Sequence, residues 1–471
     1  MAKHRTSSPA TSAPATVAPS SPAASFSGGI LFAVVFIEGY ASLGAEVLAL
    51  RRLLPHVGSS IVVTAPTIGF FLLALALGYH AGGRLVGDLR PVLARNFLVS
   101  ALLVGLGMSR AGIDVLFAGQ SAWLGAALLI AAVLAPVAYL LGQTVPALTL
   151  LMRSGSVAAR SGNALFWSTL GSFLGSLTLS LGVMQFWGVS VAVALCALLL
   201  VAGYLLLAPR SAVAGVSAAT TAAAVVVALA WAPADETAYA DYAVVAVQPR
   251  GEPPGRAFLV NNSPASILYD GTPPQPARYI RHMREILHEQ FAFRDRAVLV
   301  LGAGGFSLSL NEPANRYTYV DIDPAIRRIA EQQFLGQPAG GRFVVDDARR
   351  FVAQTNERFA AIVVDVYSSQ LAIPRHLLTR EFWQMARRPL ESDGILIANL
   401  VLDSRLQSDY ARNLLATIES VWGRCAIDVL FRDRPASNVI VTCLASNSPE
   451  RGHVYVDERS EADFDAARAA P

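Results

Sequence analysis

The sequence is short of lysine and short of charge. Lys3 is its one lysine in 471 residues, so neither a Schiff-base amine nor a phosphate-gripping Walker lysine has a candidate in a folded stretch. Charged residues make up 15% of the chain, against roughly 25% in an average soluble domain. Three cysteines, Cys196, Cys425 and Cys443, lack CxxC spacing, and the seven histidines form no HxxxH pair. No structural zinc or other metal site is expected. A net charge of +3 without any Lys/Arg run leaves no electrostatic footprint for DNA or RNA, so no nucleic-acid partner is expected.

The deficit of charge is uneven. Residues 26–232 hold 13 charged side chains, the first 25 hold two, and all the others follow residue 232. The chain divides accordingly. Residues 1–25 are Ser/Ala/Pro/Thr-rich and cannot bury enough surface to offset ordering entropy, which predicts a disordered tail and not a cleaved signal peptide. Residues 26–232 form a multipass α-helical transmembrane domain. Apolar runs recur at 28–50, 60–80, 94–112, 121–151, 163–184, 187–208 and 212–232, about seven helices of spanning length. The fourth carries Pro136 and Pro146 and is expected to kink. Glu38 and Glu46 lie inside the first run and should face the bundle interior, Glu46 near the interface pairing with Arg51 or Arg52, with a transport or ligand role for Glu38 as the alternative. Gly171 and Gly175 form a small-xxx-small stripe suited to close helix packing.

The second half reads as a small β-domain over 240–271 and an α/β Rossmann-like domain over 272–448, with a polar, flexible tail at 449–471. Apolar strands at 297–301, 316–320, 342–345, 360–364 and 394–400 alternate with helical segments, the pattern of a doubly wound parallel sheet. Segments 424–431 and 438–445 read as a closing hairpin.

Four strand ends carry the chemistry. Val298 to Leu301 runs into Gly302-Ala303-Gly304-Gly305, a turn that lets a ligand lie against bare backbone, although a dinucleotide fingerprint would need glycine where Ser307 stands. Asp321 closes the next strand, where one carboxylate can accept from two ribose hydroxyls. Asp323, before Pro324, reads as a helix cap. Asp346 and Asp347 compete for one role at the third strand end, a contact to an adenine amino group, and Asp347 is the better placed. Asp365 closes the fourth strand. NAD enzymes account for the first acid but not the second, whereas S-adenosylmethionine-type domains use both.

Together with Ile373-Pro374-Arg375-His376-Leu377-Leu378-Thr379-Arg380-Glu381-Phe382, these residues resemble the spermidine synthase (polyamine aminopropyltransferase) family over about 240–445. The stretches Gly39–Glu46 and Leu77–Leu85 likewise resemble the helical region of membrane-fused spermidine-synthase-like proteins. The resemblance implies an S-adenosylmethionine-dependent methyltransferase-like fold and aminopropyl transfer to an amine. The co-substrate is decarboxylated S-adenosylmethionine or S-adenosylmethionine itself, with no tightly bound cofactor. It implies that Gly302, Gly304, Asp321 and Asp347 bind the nucleoside, Asp321 at the ribose and Asp347 at the adenine, and that Asp365 and Tyr279 are catalytic. The sequence departs from the family where acids would hold the amines: Gly305, Ser368, Gln275 and Pro276 occupy those positions, with Asp270 or Glu381 as substitutes. Methyl transfer, or a non-catalytic sensing or transport-associated role, are the rival readings. Expected partners are the lipid bilayer and a small-molecule amine or polyamine, with a homodimer as the candidate assembly.

Orientation is contradictory. Arg84, Arg90, Arg95, Arg153, Arg160 and Arg210 fall in connections on the N-terminal side, against Arg51, Arg52 and Arg110 opposite. By the positive-inside rule, seven crossings put the soluble half outside. S-adenosyl nucleosides are cytosolic, and on that ground the soluble half is assigned to the cytoplasmic face of the inner (plasma) membrane. In the hairpin Cys425 and Cys443 lie opposite each other, and in a reducing cytosol they should remain thiols.

Overall fold

The computed structural model describes residues 28–445 apart from 58–60, 120, 153–155, 231–234, 238, 250 and 368–372, together with 455–457, 462 and 465. The tail at 1–25 and Ser368 therefore lie outside the described residues. Six helical stretches among these are long and apolar enough to cross a membrane: Gly28–Val57, Ile61–Gly82, Leu89–Gly107, Ala122–Leu151, Val157–Leu207 and Ala212–Ala230. Six such stretches stand where about seven were expected; the fifth, Val157–Leu207, covers two of the expected runs and is interrupted at Gly188, whose φ of 84° is outside any helix. The third ends sooner than its apolar run, because Ser109 caps a separate short helix, Arg110–Phe117. Phe70, Leu72, Leu73 and Leu77 of the second helix are more than half exposed, an apolar surface that a water-soluble domain would bury.

Small residues let the first helix pack tightly on Val157–Thr178. A Cβ added at Gly171 would sit 2.2 Å from the Phe36 carbonyl oxygen, and one at Gly39 1.9 Å from that of Ser168. Ser168 donates to the buried Glu38 carboxylate at 2.8 Å. Arg51 and Arg52, expected to pair with Glu46, turn outward instead to Asp241 and Glu236 of the following segment.

Beyond residue 240 come two sheets. The small one is antiparallel in the order β1 (Tyr242–Val247), β2 (Gly255–Val260), β3 (Ser263–Tyr269) and β4 (Gln275–Pro276). The large sheet holds β5 (Ala297–Leu301), β6 (Arg316–Asp321), β7 (Arg342–Val345), β8 (Phe359–Val364), β9 (Leu390–Asp403), β10 (Ala426–Val429) and β11 (Ala436–Leu444). Its order is β10-β11-β9-β8-β5-β6-β7. Strands β9, β8, β5, β6 and β7 run parallel and β11 antiparallel to β9. All six residues of β8 are buried, as expected of a central strand covered on both faces.

Of the tail at 449–471, expected to be flexible, 455–457, 462 and 465 are among the described residues, and these are packed; one expectation about the cysteines fails. Tyr455 is buried, donates its hydroxyl to Asp465 and its amide to Thr417, and Asp457 pairs with Arg349. Cys425 and Cys443, expected as thiols under a cytoplasmic placement, form a disulfide with Cα atoms 4.5 Å apart. They continue the β10–β11 register one step beyond Ala426 and Thr442.

Candidate active site

The order of the large sheet reverses direction at β5, which has β6 on one side and β8 on the other. In an open α/β sheet the crevice beyond the carboxyl ends of the strands at that point is the natural ligand site. Gly302, directly after β5, has φ 89°, and a Cβ there would stand 2.2 Å from the main-chain oxygen of Asp365. The glycine turn and the end of β8 therefore touch, and a side chain at 302 would force them apart. Gly304, at φ 47°, passes close to Ser266 of β3.

Asp321 ends β6 beside this turn and accepts from the Ala303 amide at 2.9 Å and the Asp323 amide at 3.0 Å. Burial pushes its carboxyl up to about 6 against the pull of those amides. Asp323 is buried. One oxygen accepts from the Ala325 amide, as a cap would, but the other accepts from the hydroxyls of Thr237 at 2.5 Å and Tyr242 at 2.8 Å. At the next strand end, Asp347 caps the helix Ala348–Gln354 by accepting from the Arg350 amide. Its second oxygen lies 3.2 Å from His376 Nε2. Asp346 is engaged by Arg350. The adenine role expected of Asp347 is thus left to that second oxygen and shared with a histidine.

Asp365 is aimed by a chain of amides. Asn399 donates to it at 2.8 Å, and Asn438 donates to the Asn399 oxygen at 3.0 Å. Burial raises the Asp365 carboxyl to about 6, the Asn399 amide opposing. Among the described residues no arginine or histidine forms an ion pair with it. Two phenols stand near. Tyr279 donates to the Ala265 carbonyl at 2.8 Å, and Tyr367 donates to the Asn399 carbonyl while accepting from the Val401 amide. Burial first, then the nearby Asp365 charge, hold both hydroxyls well above the ordinary tyrosine value. The structure thus brings together Gly302, Gly304, Asp321, Asp365 and Tyr279, with Asp347 one strand further out.

Among the described residues, the missing acids are not compensated locally. A Cβ at Gly305 would sit 2.4 Å from the Phe334 ring and 2.8 Å from Ser266 Cβ. Phe334 continues an aromatic file through Phe258 and Tyr242, so hydrophobic rings crowd the place of a carboxylate. Pro276 is buried in β4 against Leu268, and Gln275 is exposed. Of the substitutes considered, Asp270 is exposed at the end of β3 and Glu381 accepts from the Asp457 amide. Asn399 and Tyr367 were not singled out from the sequence. Asn399 carried a legible signal, a lone amide inside the apolar run Ile395–Leu402, whereas nothing local marks Tyr367.

This sheet order, with one antiparallel strand near an edge and acids ending the strands beside a glycine turn, defines a Rossmann-like domain of the S-adenosylmethionine-dependent methyltransferase type. The family model described as "Spermine/spermidine synthase domain" matches residues 277–450, and the C-terminal part of the chain carries that domain. The chain is 34% identical over 134 residues to a polyamine aminopropyltransferase of Vibrio vulnificus, 27% of this chain and 43% of that protein. It is 30% identical over 128 residues to a probable polyamine aminopropyl transferase of Bifidobacterium longum, 27% of this chain and 28% of that protein. A Drosophila melanogaster "eEF1A lysine and N-terminal methyltransferase homolog" is 30% identical over 159 residues, 31% and 23% of the two chains. The chain thus spans less than half the length of these relatives. Among solved structures, a probable spermidine synthase from Corynebacterium glutamicum aligns at 19% identity and a TM-score of 0.37, over 50% of this chain and 87% of that one.

Proposed function

We propose that the protein is a membrane-anchored transferase that binds decarboxylated S-adenosylmethionine and moves its aminopropyl group to an amine other than putrescine. The observation that carries this reading is Asp365, a carboxylate at the switch point, held by Asn399, beside the glycine turn and without a cationic partner among the described residues. An amine attacks the carbon next to the sulfonium, a C–N bond forms as the C–S bond breaks, and the thioether nucleoside leaves. Asp365 takes the proton from the attacking nitrogen and offsets positive charge during transfer. Asp321 holds the ribose, and Tyr279 lines the acceptor side. Putrescine fits poorly, because its distal ammonium would meet Phe334 at Gly305 and, among the described residues, no paired carboxylates, and an uncompensated ammonium in a partly buried pocket is costly.

The test uses purified full-length protein in detergent, with binding of decarboxylated and ordinary S-adenosylmethionine measured by calorimetry and products analysed with a panel of amines. Nucleoside binding with weak or absent spermidine formation is expected. Robust spermidine synthesis that vanishes in Asp365→Asn would show that the missing acids matter less than argued. Methyl transfer is the second reading, favoured by the aromatic filling at Gly305 and by similarity to a methyltransferase homologue. It requires S-adenosylhomocysteine to accumulate from S-adenosylmethionine in the same assay.

The α/β domain is proposed to lie on the exocytoplasmic face of the membrane and not in the cytoplasm. If Val157–Leu207 crosses twice about its break at Gly188, the crossings are odd in number and the α/β domain lies opposite the N-terminus. Arg51, Arg52 and Arg110, on the domain's side, are all paired with acids, whereas the other basic connections lie at the far end. A disulfide persists in an oxidising compartment. Labelling of an engineered surface cysteine by an impermeant maleimide in intact cells supports this placement. Labelling only after lysis returns the domain to the cytoplasm.

A further inference from the structure

The segment joining the two halves is built into the nucleoside site. Glu236 is buried against Arg52 of the first helix, and its second oxygen accepts from the Ser190 amide at 2.6 Å, capping the helix that restarts after Gly188. Arg52 also donates to Ser190 Oγ and to the Met108 carbonyl, so one guanidinium ties three segments of the apolar half to the joint. Beside it, Arg51 donates to the Thr237 carbonyl at 2.9 Å and to Asp241 at 3.3 Å. Arg110 donates to the other Asp241 oxygen at 3.1 Å and to Asn262. Thr237 is where this lattice meets the α/β domain. Its main chain is held by Arg51, and its hydroxyl donates to Asp323, whose amide in turn donates to Asp321.

We propose that Thr237 is a positioning residue through which the first helix sets the orientation of the Asp321 carboxylate. The inference rests on the nucleoside role given to Asp321 above. Asp323 has two outside anchors, Thr237 from the joint and Tyr242 from β1. Removing one leaves the loop in place and the carboxylate less well aimed. A shift of the first helix, whether from lipid or from a ligand among the helices, is thereby felt as a change in nucleoside affinity, and nucleoside binding stiffens the joint in return.

The test compares Thr237→Val, which keeps shape and loses the hydroxyl, with Thr237→Ser, which keeps the hydroxyl, in the full chain. Without ligand, amide hydrogen exchange over residues 321–325 is expected to speed up in the valine variant and to remain at the wild-type rate in the serine variant. With ligand, the valine variant is expected to weaken binding of decarboxylated S-adenosylmethionine about tenfold, the worth of one hydrogen bond to a charged group, with kcat little changed and serine restoring affinity. Unchanged exchange in Thr237→Val, or a serine variant as impaired as valine, overturns the proposal. Absence of nucleoside binding in the wild type refutes the functional reading, while the ligand-free exchange still judges the role of Thr237.

Discussion

Replacing Asp365 by asparagine is expected to stabilise the unliganded protein at neutral pH and to abolish its chemistry. The side chain sits where burial holds its carboxyl near 6, above the usual value of 3.8. A shift of about two units corresponds to about 3 kcal/mol of penalty on the charged form, an upper figure because Asp365 keeps a partly exposed edge. The folded state holds the proton more tightly than the unfolded chain, so stability falls as pH rises from about 4 through about 6, and the penalty is complete above that. The asparagine carries no such penalty and can still accept from the Asn399 amide. Thermal melts of the full chain in detergent between pH 4 and 8 should therefore coincide for wild type and Asp365→Asn at the acid end. They should diverge toward pH 7, the variant melting higher by several degrees. A cationic nucleoside supplies the missing countercharge, so adding it should raise the wild-type melt more than that of the variant, with the wild-type gain shrinking as pH falls below 6. A variant that melts below wild type at pH 8, or parallel pH profiles, would refute the claim that this carboxylate is held charged at a cost awaiting a cation.

Three further outcomes follow from the site. Asp321→Ala should melt lower than wild type, because the Ala303 and Asp323 amides lose their acceptor, and should lose nucleoside binding by tenfold to several hundredfold for each charge-assisted hydrogen bond removed; unchanged affinity by calorimetry in the folded variant would end its assignment to the ribose. Gly305→Asp should not restore the family's acid but should destabilise the domain by about 1 to 3 kcal/mol, since its Cβ meets Phe334; in a double-mutant cycle by denaturant titration the same substitution should cost less in a Phe334→Ala background, although Phe334→Ala is itself destabilising. Non-reducing peptide mapping of protein taken from membranes with thiols blocked should recover Cys425 joined to Cys443; two alkylated thiols would restore the cytoplasmic placement.

The division into an apolar helical half and an α/β half was legible in the sequence, because hydrocarbon thickness demands long uncharged runs and a covered parallel sheet demands short apolar ones. So were the residues that end the strands: Gly302, Asp321, Asp347 and Asp365 fall where the alternation of strand and helix puts them, before any contact is known. The opposition of Cys425 and Cys443 followed from hairpin symmetry, but whether they bond did not, since spacing carries no information on redox state. Folding settled the rest. Strand order placed β5 between β6 and β8 and so joined Gly302 to Asp365, a juxtaposition no local pattern encodes. Packing filled the place of the missing acid with Phe334, and the fold brought Asn399 to the Asp365 carboxylate and Tyr367 to the Asn399 carbonyl across gaps of more than thirty residues. Arg51 and Arg52 looked like partners for Glu46 one helical turn or so away, and the fold gave them instead to Asp241 and Glu236. A charge pairs with whatever acid the backbone brings within reach, and that is settled by the docking of two domains, not by distance along the chain.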